Sequence, residues 1–480
     1  SGKMPKGHGM SDRLLRTRKI LESVGQEHVL GFYENQDEVG KQNLLDQIAS
    51  IDWSEAARLV ETHVKHHVSF TLPETIEPAP WYPNVPTEDL KEQYQRARER
   101  GEELVGEGKV AVFTVAGGQG TRLDYNGPKG MFPATPITGT SLFACLAGYL
   151  RKVQEKFEAA VPWYIMTSPV NDADIRAFFE QNQYFELDPT MVIMFPQQMM
   201  PTFDATTAKV LLEAPGRLAL SPNGHGGSLK ALHTSGAIAD MKRRGIEQIS
   251  YTQVDNPLVH MIDPLFIGLH AIDGAQMSSK MLPKASPNEK VGVFCLLDGK
   301  VSVIEYSDLP NTLAEQRLEN GQLRFRAGSI AIHLIHVDFV ESLNSRRGHF
   351  ALPFHRAEKI VPYVDFNSGK IVESKAPNAV KLEMFVFDAL PLCATSIVYE
   401  TARLDEFAPI KNACGADSPQ TSRALQMERA ARWLTTHGVR VPRDVEGKLN
   451  ATIEIRPTTA ICADDLRSVP LPVAIEPGGE

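Results

Sequence analysis

Cysteine is scarce in this sequence. Five stand in 480 residues, at Cys145, Cys295, Cys393, Cys414 and Cys462, and none forms a CxxC pair. An odd, scattered set argues against a disulfide framework and against a structural zinc site. It points to a reducing compartment, so a cytoplasmic protein is expected. Long apolar runs are also missing. No stretch is long enough to span a bilayer and none reads as a secretory leader, so no membrane partner is expected. There is no basic excess either: 50 Lys and Arg against 59 Asp and Glu give a net charge of −9. That argues against a nucleic-acid binder with a broad basic face, yet it leaves room for a local cationic cluster that holds a small anion. No internal repeat, no low-complexity tract and no Ser-His-Asp or Cys-His arrangement is visible, and nothing indicates an oligomeric state.

What is present reads as an ordinary large globular chain, with 42% hydrophobic and 23% charged residues. At ~150 residues per domain the length suggests about three domains. Residues 1–108 read as a helical N-terminal domain. Ser11 and Asp12 start a helix that Gly25 ends, and a second runs from Ser54 to Val64. Pro73, Pro78, Pro80, Pro83 and Pro86 then exclude regular helix. Thr87 caps a third helix with Glu88 and Asp89 in its first turn. His66 and His67 read as a solvated helix end rather than a metal site.

From Lys109 the pattern changes. Apolar runs at 110–115, 164–167, 192–195 and 249–254 alternate with helical segments, which predicts a mostly parallel sheet with helices on both faces. Asp298 and Gly299, between β-rich runs at 291–297 and 301–306, predict a hairpin. Further strand-like runs lie at 360–364, 385–387 and 397–399, and a helix is expected around Ala424–Leu434. The division that follows is a catalytic domain at 109–408 and a small C-terminal domain at 409–480.

The most informative segment runs from Val110 to Arg122. A buried strand leads into Gly117, Gly118 and Gly120, followed by Thr121, Arg122 and then Pro128, Lys129 and Gly130. Glycines allow close backbone approach, successive N–H groups can cradle an anion, and Arg122 and Lys129 add fixed positive charge. The loop lacks the GxxxxGK[ST] pattern, and it is not GxGxxG with an acidic residue on a following strand, so two common phosphate loops are excluded.

With these residues the sequence resembles the eukaryotic-type UDP-sugar pyrophosphorylases, a family that includes enzymes for UDP-N-acetylglucosamine and for UDP-glucose. The signature at 116–123 carries the likeness. It continues in order through 164–168, Gln197 and Gln198, 223–227, 254–256, 291–293, 305–307, 381–388 and 409–412. The resemblance implies an α/β fold with a doubly wound mixed sheet of the nucleotide-diphospho-sugar transferase type, Rossmann-like, flanked by helical N-terminal and small C-terminal domains. It implies UTP and a sugar 1-phosphate as substrates, with Mg²⁺. Val115, Ala116, Gly117 and Gly118 would meet the uracil and ribose, and Arg122 and Lys129 the triphosphate. Gln197, or its neighbour Gln198, would read the uracil. Gly224 and His225 would pack against the nucleotide, and Asp255 would sit at the ribose and the metal. Glu305 would hold sugar hydroxyls, while Lys381 and Lys411 would bind phosphates.

The expected activity is a UTP:sugar-1-phosphate uridylyltransferase acting on N-acetylglucosamine 1-phosphate. Glucose 1-phosphate is the alternative, because 127–129 and 224–226 are closer to the UDP-glucose enzymes and because Ser329 and Ile332 stand where the N-acetylglucosamine enzymes have Asn. A nucleotide-binding protein without turnover is the other. Asp124 takes the place of a family glycine, and the left-handed backbone it requires is one that Asp tolerates.

Overall fold

The computed structural model describes residues 7–67, 71–345 and 349–480. The chain divides into two compact units, each assembled from separated stretches. The larger contains Pro73–Pro196, Leu229–Ala351 and Phe387–Glu480. The smaller contains Ser1–Leu72, Gln197–Ser228 and Leu352–Val386.

The larger unit is built, among the described residues, on a ten-stranded mixed sheet. Four adjacent strands are parallel: Gln248–Gln253, Val110–Val115, Trp163–Thr167 and Val192–Pro196, in that spatial order. The three inner ones are buried almost end to end, as strands covered on both faces must be, and this explains their unbroken apolar runs. Ala327–His336 joins the other edge antiparallel to Gln248–Gln253 and also pairs with Met277–Pro283. Val293–Leu297 and Lys300–Ile304 form the expected hairpin. Asp298 and Gly299 at its tip both have positive φ, 50° and 75°, the conformation a tight two-residue hairpin turn requires.

The parallel block fixes where a ligand can sit. From the central strand Val110–Val115 the chain proceeds outward to one side through Trp163–Thr167 and Val192–Pro196. It then returns to the other side as Gln248–Gln253. The order reverses between two neighbouring parallel strands, and the loops leaving their carboxyl ends begin at Ala116 and Val254. Such a switch point is where open α/β sheets bind ligands.

Helix Leu142–Phe157 covers this block, burying Leu142, Phe143, Leu146, Leu150 and Val153 at helical spacing. Ser141 caps it by accepting from the Ala144 amide. Helix Pro419–Thr436 begins with a Ser418 capping box. Its Ala430, Ala431, Trp433 and Leu434 pack against Val439, Ile453 and Leu466 of the C-terminal stretch. Among the described residues no helix is long and apolar enough to cross a membrane.

The smaller unit contains helices Gly7–Ser23, Glu38–Ala49 and Trp53–Leu59, with a sheet ordered His355–Lys359, Ala379–Glu383, Phe203–Asp204.

Several expected boundaries shift for local reasons. The first helix begins at Gly7, ahead of Ser11. The second is capped by Asp52, whose carboxylate accepts from the Glu55 amide, and it closes in a π-turn at Val60–Val64. Thr87 donates its hydroxyl to the Asp89 carboxylate instead of capping an amide, and regular helix starts only at Lys91. The run 385–387 is not a strand. Ala379–Glu383 ends first, and Val386–Leu392 is a 3₁₀ turn, so Phe385 stacks on histidine rings in place of alternating along a sheet.

Candidate functional site

The glycine-rich loop leaves the carboxyl end of Val110–Val115 and doubles back on itself. The Gly120 amide donates to the Gly127 carbonyl at 2.8 Å, and the Lys129 amide donates to the Gly118 carbonyl at 3.0 Å. Asp124 makes the reversal in left-handed conformation, φ 53° and ψ 32°, as its residue type predicts. The effect is to bring Lys129, eleven residues further on, back beside Gly118. Asn171 fixes the other side, donating from Nδ2 to the Gly117 carbonyl at 3.1 Å.

Gly118 is the telling position. A Cβ built there meets nothing within 4 Å, and its φ lies outside the left-handed region. Neither packing nor backbone conformation requires glycine at 118. What a side chain would obstruct is the open space in front of the loop.

The charges that face this loop come from three segments. Asp255 follows the neighbouring strand, where the Val254 amide still donates to the Val115 carbonyl at 3.2 Å. The Ile410 amide donates to the Asp255 carbonyl at 2.9 Å, which ties the segment carrying Lys411 to the same strand end. Arg122 Nη2 donates to Asn412 Oδ1 at 2.7 Å. Burial lowers the Lys129 ammonium below the usual lysine range. The Asp255 carboxylate opposes that shift, and Arg122 and Lys411 add to it. Lys129 therefore feels one carboxylate, Asp255, and two further cations, Arg122 and Lys411, a local excess of positive charge on an acidic protein. It is an arrangement suited to a polyanion.

Glu305 stands elsewhere on the larger unit, half-buried just beyond Lys300–Ile304. A Cβ at Gly292 would come within 2.7 Å of Val303 and 3.1 Å of the Glu305 carboxylate, so the 291–293 and 305–307 blocks are packed together. Ile332 is buried in the main apolar core.

In the smaller unit a second loop gathers Gln197, Gly224 and His225. Gln197 is buried while Gln198 is exposed. Gln197 Nε2 donates to Asn223 Oδ1 at 2.8 Å and to the Gly224 carbonyl at 2.7 Å. Both partners accept, which fixes the amide orientation and leaves Oε1 as the free acceptor. Gly224 has φ +83°, and a Cβ there would lie 2.2 Å from the Met384 carbonyl, so here the fold itself demands glycine. His225 Nδ1 accepts from the Val386 amide at 2.9 Å, which puts the ring proton on Nε2. Its ring lies 5.3 Å from Phe385. Burial, with His355 nearby, lowers its pKa to about 4, so the ring is neutral at pH 7. Lys381 lies half-buried on the Ala379–Glu383 strand, opposite Ala357.

Two positions invite a metal, and they differ in chemistry. His260, Asp263 and Glu406 present ligand atoms within 4.8 Å of one another. That site already contains a cation: Lys280 Nζ lies 2.8 Å from Asp263 Oδ2 and 2.8 and 2.9 Å from the two Glu406 oxygens, fully buried. A second cation there would meet the ammonium at contact distance, so the cluster does not fit a metal ion. Asp255 does fit. It is a lone carboxylate beside a polyanion site, and Mg²⁺ is usually held by one or two carboxylates together with phosphate oxygens.

A separate cavity of about 270 Å³ lies between Leu142–Phe157, Pro419–Thr436 and residues 453–458, with Arg429, Trp433 and Leu258 in its wall. None of the expected site residues lines it. The buried Lys280 pair and the bridging amides Asn256 and Asn412 were not singled out from sequence. A lysine and an aspartate seventeen residues apart, completed by a glutamate more than a hundred residues further on, carry no local signal, and an asparagine next to a functional residue reads as a turn.

Comparison with known proteins identifies the family and the fold. A family model described as UTP--glucose-1-phosphate uridylyltransferase matches residues 56–445. "UDP-N-acetylhexosamine pyrophosphorylase-like protein 1" of Xenopus tropicalis is 35% identical over 88% of this chain and 84% of its own length. The "UDP-N-acetylglucosamine pyrophosphorylase" of Saccharomyces cerevisiae is 32% identical over 88% and 91%. The crystal structure of the uridine diphosphate N-acetylglucosamine pyrophosphorylase from Trypanosoma brucei superposes with a TM-score of 0.78 at 26% identity, covering 97% of this chain and 95% of that one. The chain belongs to the UTP--glucose-1-phosphate uridylyltransferase family, and its fold is that of the UDP-sugar pyrophosphorylases.

Proposed function

We propose that this protein transfers the uridylyl group of UTP to N-acetylglucosamine 1-phosphate. A phosphate oxygen of the sugar 1-phosphate attacks the α-phosphorus of UTP, the bond to the β-phosphate oxygen breaks, and pyrophosphate leaves. The observation that carries this reading is the convergence at the strand switch point of Lys129, bonded through its amide to the unobstructed Gly118, with Arg122 and the Lys411 segment, which are joined through Asn412 and tied to Asp255 by the Ile410 amide.

Both reactants are polyanions, and the attacking oxygen is already ionised at neutral pH. The barrier therefore consists of repulsion and positioning, and no general base is needed. Backbone groups of Gly117 and Gly118 meet the uracil and ribose of UTP. Arg122 and Lys129 neutralise the departing pyrophosphate, and Lys411 brings charge to the α-phosphate. Lys381 binds phosphate from its strand. Val115 and Ala116 carry the ribose end of the nucleotide, with Gly224 and the neutral His225 packing on it. The free Oε1 of Gln197 suits the N3–H of uracil and opposes the N3 lone pair of cytosine, so it selects UTP over CTP. Glu305 accepts from sugar hydroxyls. Asp255 would hold Mg²⁺, and the ion would supply further neutralisation of the triphosphate.

The N-acetylglucosamine assignment follows the yeast relative, a UDP-N-acetylglucosamine pyrophosphorylase, and the frog relative, named for N-acetylhexosamine, supports an N-acetylated sugar. The description of the family model makes glucose 1-phosphate the second reading. Purified protein with UTP, Mg²⁺ and a panel of N-acetylglucosamine, N-acetylgalactosamine, glucose and galactose 1-phosphates, assayed for pyrophosphate release, tests both. Turnover should be highest with N-acetylglucosamine 1-phosphate and fall about 10²–10³-fold in Lys411→Ala. Highest turnover with glucose 1-phosphate would replace the sugar, and UTP binding without release from any sugar would leave a nucleotide-binding protein.

A further inference from the structure

The residue after Asp255 is buried and makes four hydrogen bonds, three of them through its side chain. Asn256 Nδ2 donates to the Glu406 carbonyl at 2.7 Å, and Oδ1 accepts from the amides of Ala408 and Leu258, both at 3.2 Å. Its own carbonyl accepts from the Val259 amide at 3.3 Å. One carboxamide thus joins the loop that carries Asp255 to the segment that carries Lys411. Two residues further along that segment the Ile410 amide reaches back to the Asp255 carbonyl, and Asn412 receives Arg122.

The far end of this bridge is anchored in the interior. The Glu406 side chain is fully buried and accepts from Lys280, from the Thr401 hydroxyl at 2.5 Å and from the His260 amide at 3.1 Å. Lys280 also pairs with Asp263, which caps helix Pro264–Ile272. Ser422, itself buried, donates to the Ala408 carbonyl at 2.7 Å from helix Pro419–Thr436. The segment 406–412 is therefore fixed from three sides, and among the described residues Asn256 is the side chain of the Asp255 loop that bonds to it, alongside the bond from the His260 amide to the Glu406 carboxylate.

We propose that Asn256, backed by the buried Lys280–Glu406–Asp263 group, is a positioning residue: it sets Asp255 and Lys411 in register so that the metal-side carboxylate and the phosphate-side ammonium act on the same substrate phosphate. The inference rests on the roles given above to Asp255 and Lys411. It touches no substrate itself. Its physical content is that electrostatic catalysis depends on charges held in place before the reaction begins, where displacement of about 1 Å costs on the order of 10²-fold in rate.

Lys280 is the wrong residue to mutate first. Its removal would leave two buried carboxylates without a counter-charge, and the protein would be strongly destabilised. Asn256→Ala removes the bridge while adding no buried charge. Asn256→Asp is the isosteric companion, keeping the two accepting bonds and turning the contact with the Glu406 carbonyl repulsive. Both are combined with Lys411→Ala in a double-mutant cycle on kcat, with KM for UTP and the thermal midpoint measured for each protein. Positioning predicts that Asn256→Ala lowers kcat about 10- to 100-fold, with KM for UTP within about threefold. It also predicts that most of this loss disappears in the Lys411→Ala background, because the charge it positions is gone. Additive losses, or an unchanged kcat in Asn256→Ala, would overturn the inference while leaving the proposed function standing. Full activity in Lys411→Ala alone would overturn the reading on which it depends. If Asn256→Ala fails to fold, the Asn256→Asp arm of the same cycle decides by the same criterion.

Discussion

Two glycine-rich loops stand in this molecule, one at 117–120 in the larger unit and one at 224–227 in the smaller, and they use glycine for opposite reasons. Around Gly224 a side chain has nowhere to go: φ is +83° and the Met384 carbonyl lies 2.2 Å from the would-be Cβ. Gly227 is similarly closed off, 1.8 Å from Asn223. At Gly118 there is open space and ordinary backbone conformation. The 224–227 loop is glycine-rich because the protein packs against it. The 117–120 loop has in Gly118 a glycine that the protein does not need, which leaves a ligand as the reason. Sequence alone presents both as the same kind of motif.

That contrast can be broken by substitution. The largest effect is expected from Gly224→Ala, where the strained backbone and the clash together cost at least ~3 kcal/mol; chemical denaturation should show an early midpoint or no folded baseline. A folded, stable Gly224→Ala would remove the distinction. Next in size is the acid response of the smaller unit. His225 is held neutral with a pKa of about 4 against an ordinary 6.5. A depressed folded-state value means its contribution is fully present above pH 6.5 and is lost as pH falls toward 4, a swing of roughly 3 kcal/mol. His225→Gln, which can still accept from Val386, should flatten the acid limb of the stability curve. An equally steep limb would assign the acid sensitivity to other groups.

Smaller effects sharpen the functional side. Gln197→Ala should weaken UTP binding about tenfold and reduce the preference for UTP over CTP, since one hydrogen bond of about 1–1.5 kcal/mol is lost; competition binding reads both. A retained preference would move base reading to another residue. Lys129→Met should have the smallest and the most counterintuitive consequence for the fold. Burial and its cationic neighbours lower the Lys129 pKa, so its charge is a cost to the unliganded protein that is present at neutral pH. Removing it should raise the thermal midpoint without ligand while abolishing the stabilisation that UTP gives the wild type. A lower midpoint would show Lys129 to be part of the structural framework.

Much of the architecture was legible because parallel strands covered on both faces leave long apolar runs, and each of the four, 110–115, 164–167, 192–195 and 249–254, lies within a residue or two of the observed strand. Asp298-Gly299 was legible as a hairpin because the turn needs two positive φ values. The 385–387 run misled because two phenylalanines at alternate positions imitate a strand, while the turn that replaces it is set by Asn223 and Gly224, more than 150 residues away. For the same reason sequence gave no warning that 197–228 and 352–386 join the N-terminal helices in one unit. The cations Arg122, Lys129 and Lys411 were recognisable one by one. The Asp255 carboxylate was visible as a motif, but the amide bridge through Asn256 and the buried Lys280 pair became visible only when segments distant in the chain were brought together.

The measurement that bears most directly on this account is Gly118→Ala, assayed for UTP affinity by calorimetry and for folding by its denaturation midpoint. The account predicts a stability within about 0.5 kcal/mol of wild type together with a loss of UTP affinity of about tenfold or more, the cost of a methyl group placed where the nucleotide must approach the backbone. An unchanged affinity would contradict it, because the open space before Gly118 would then not be where the nucleotide binds.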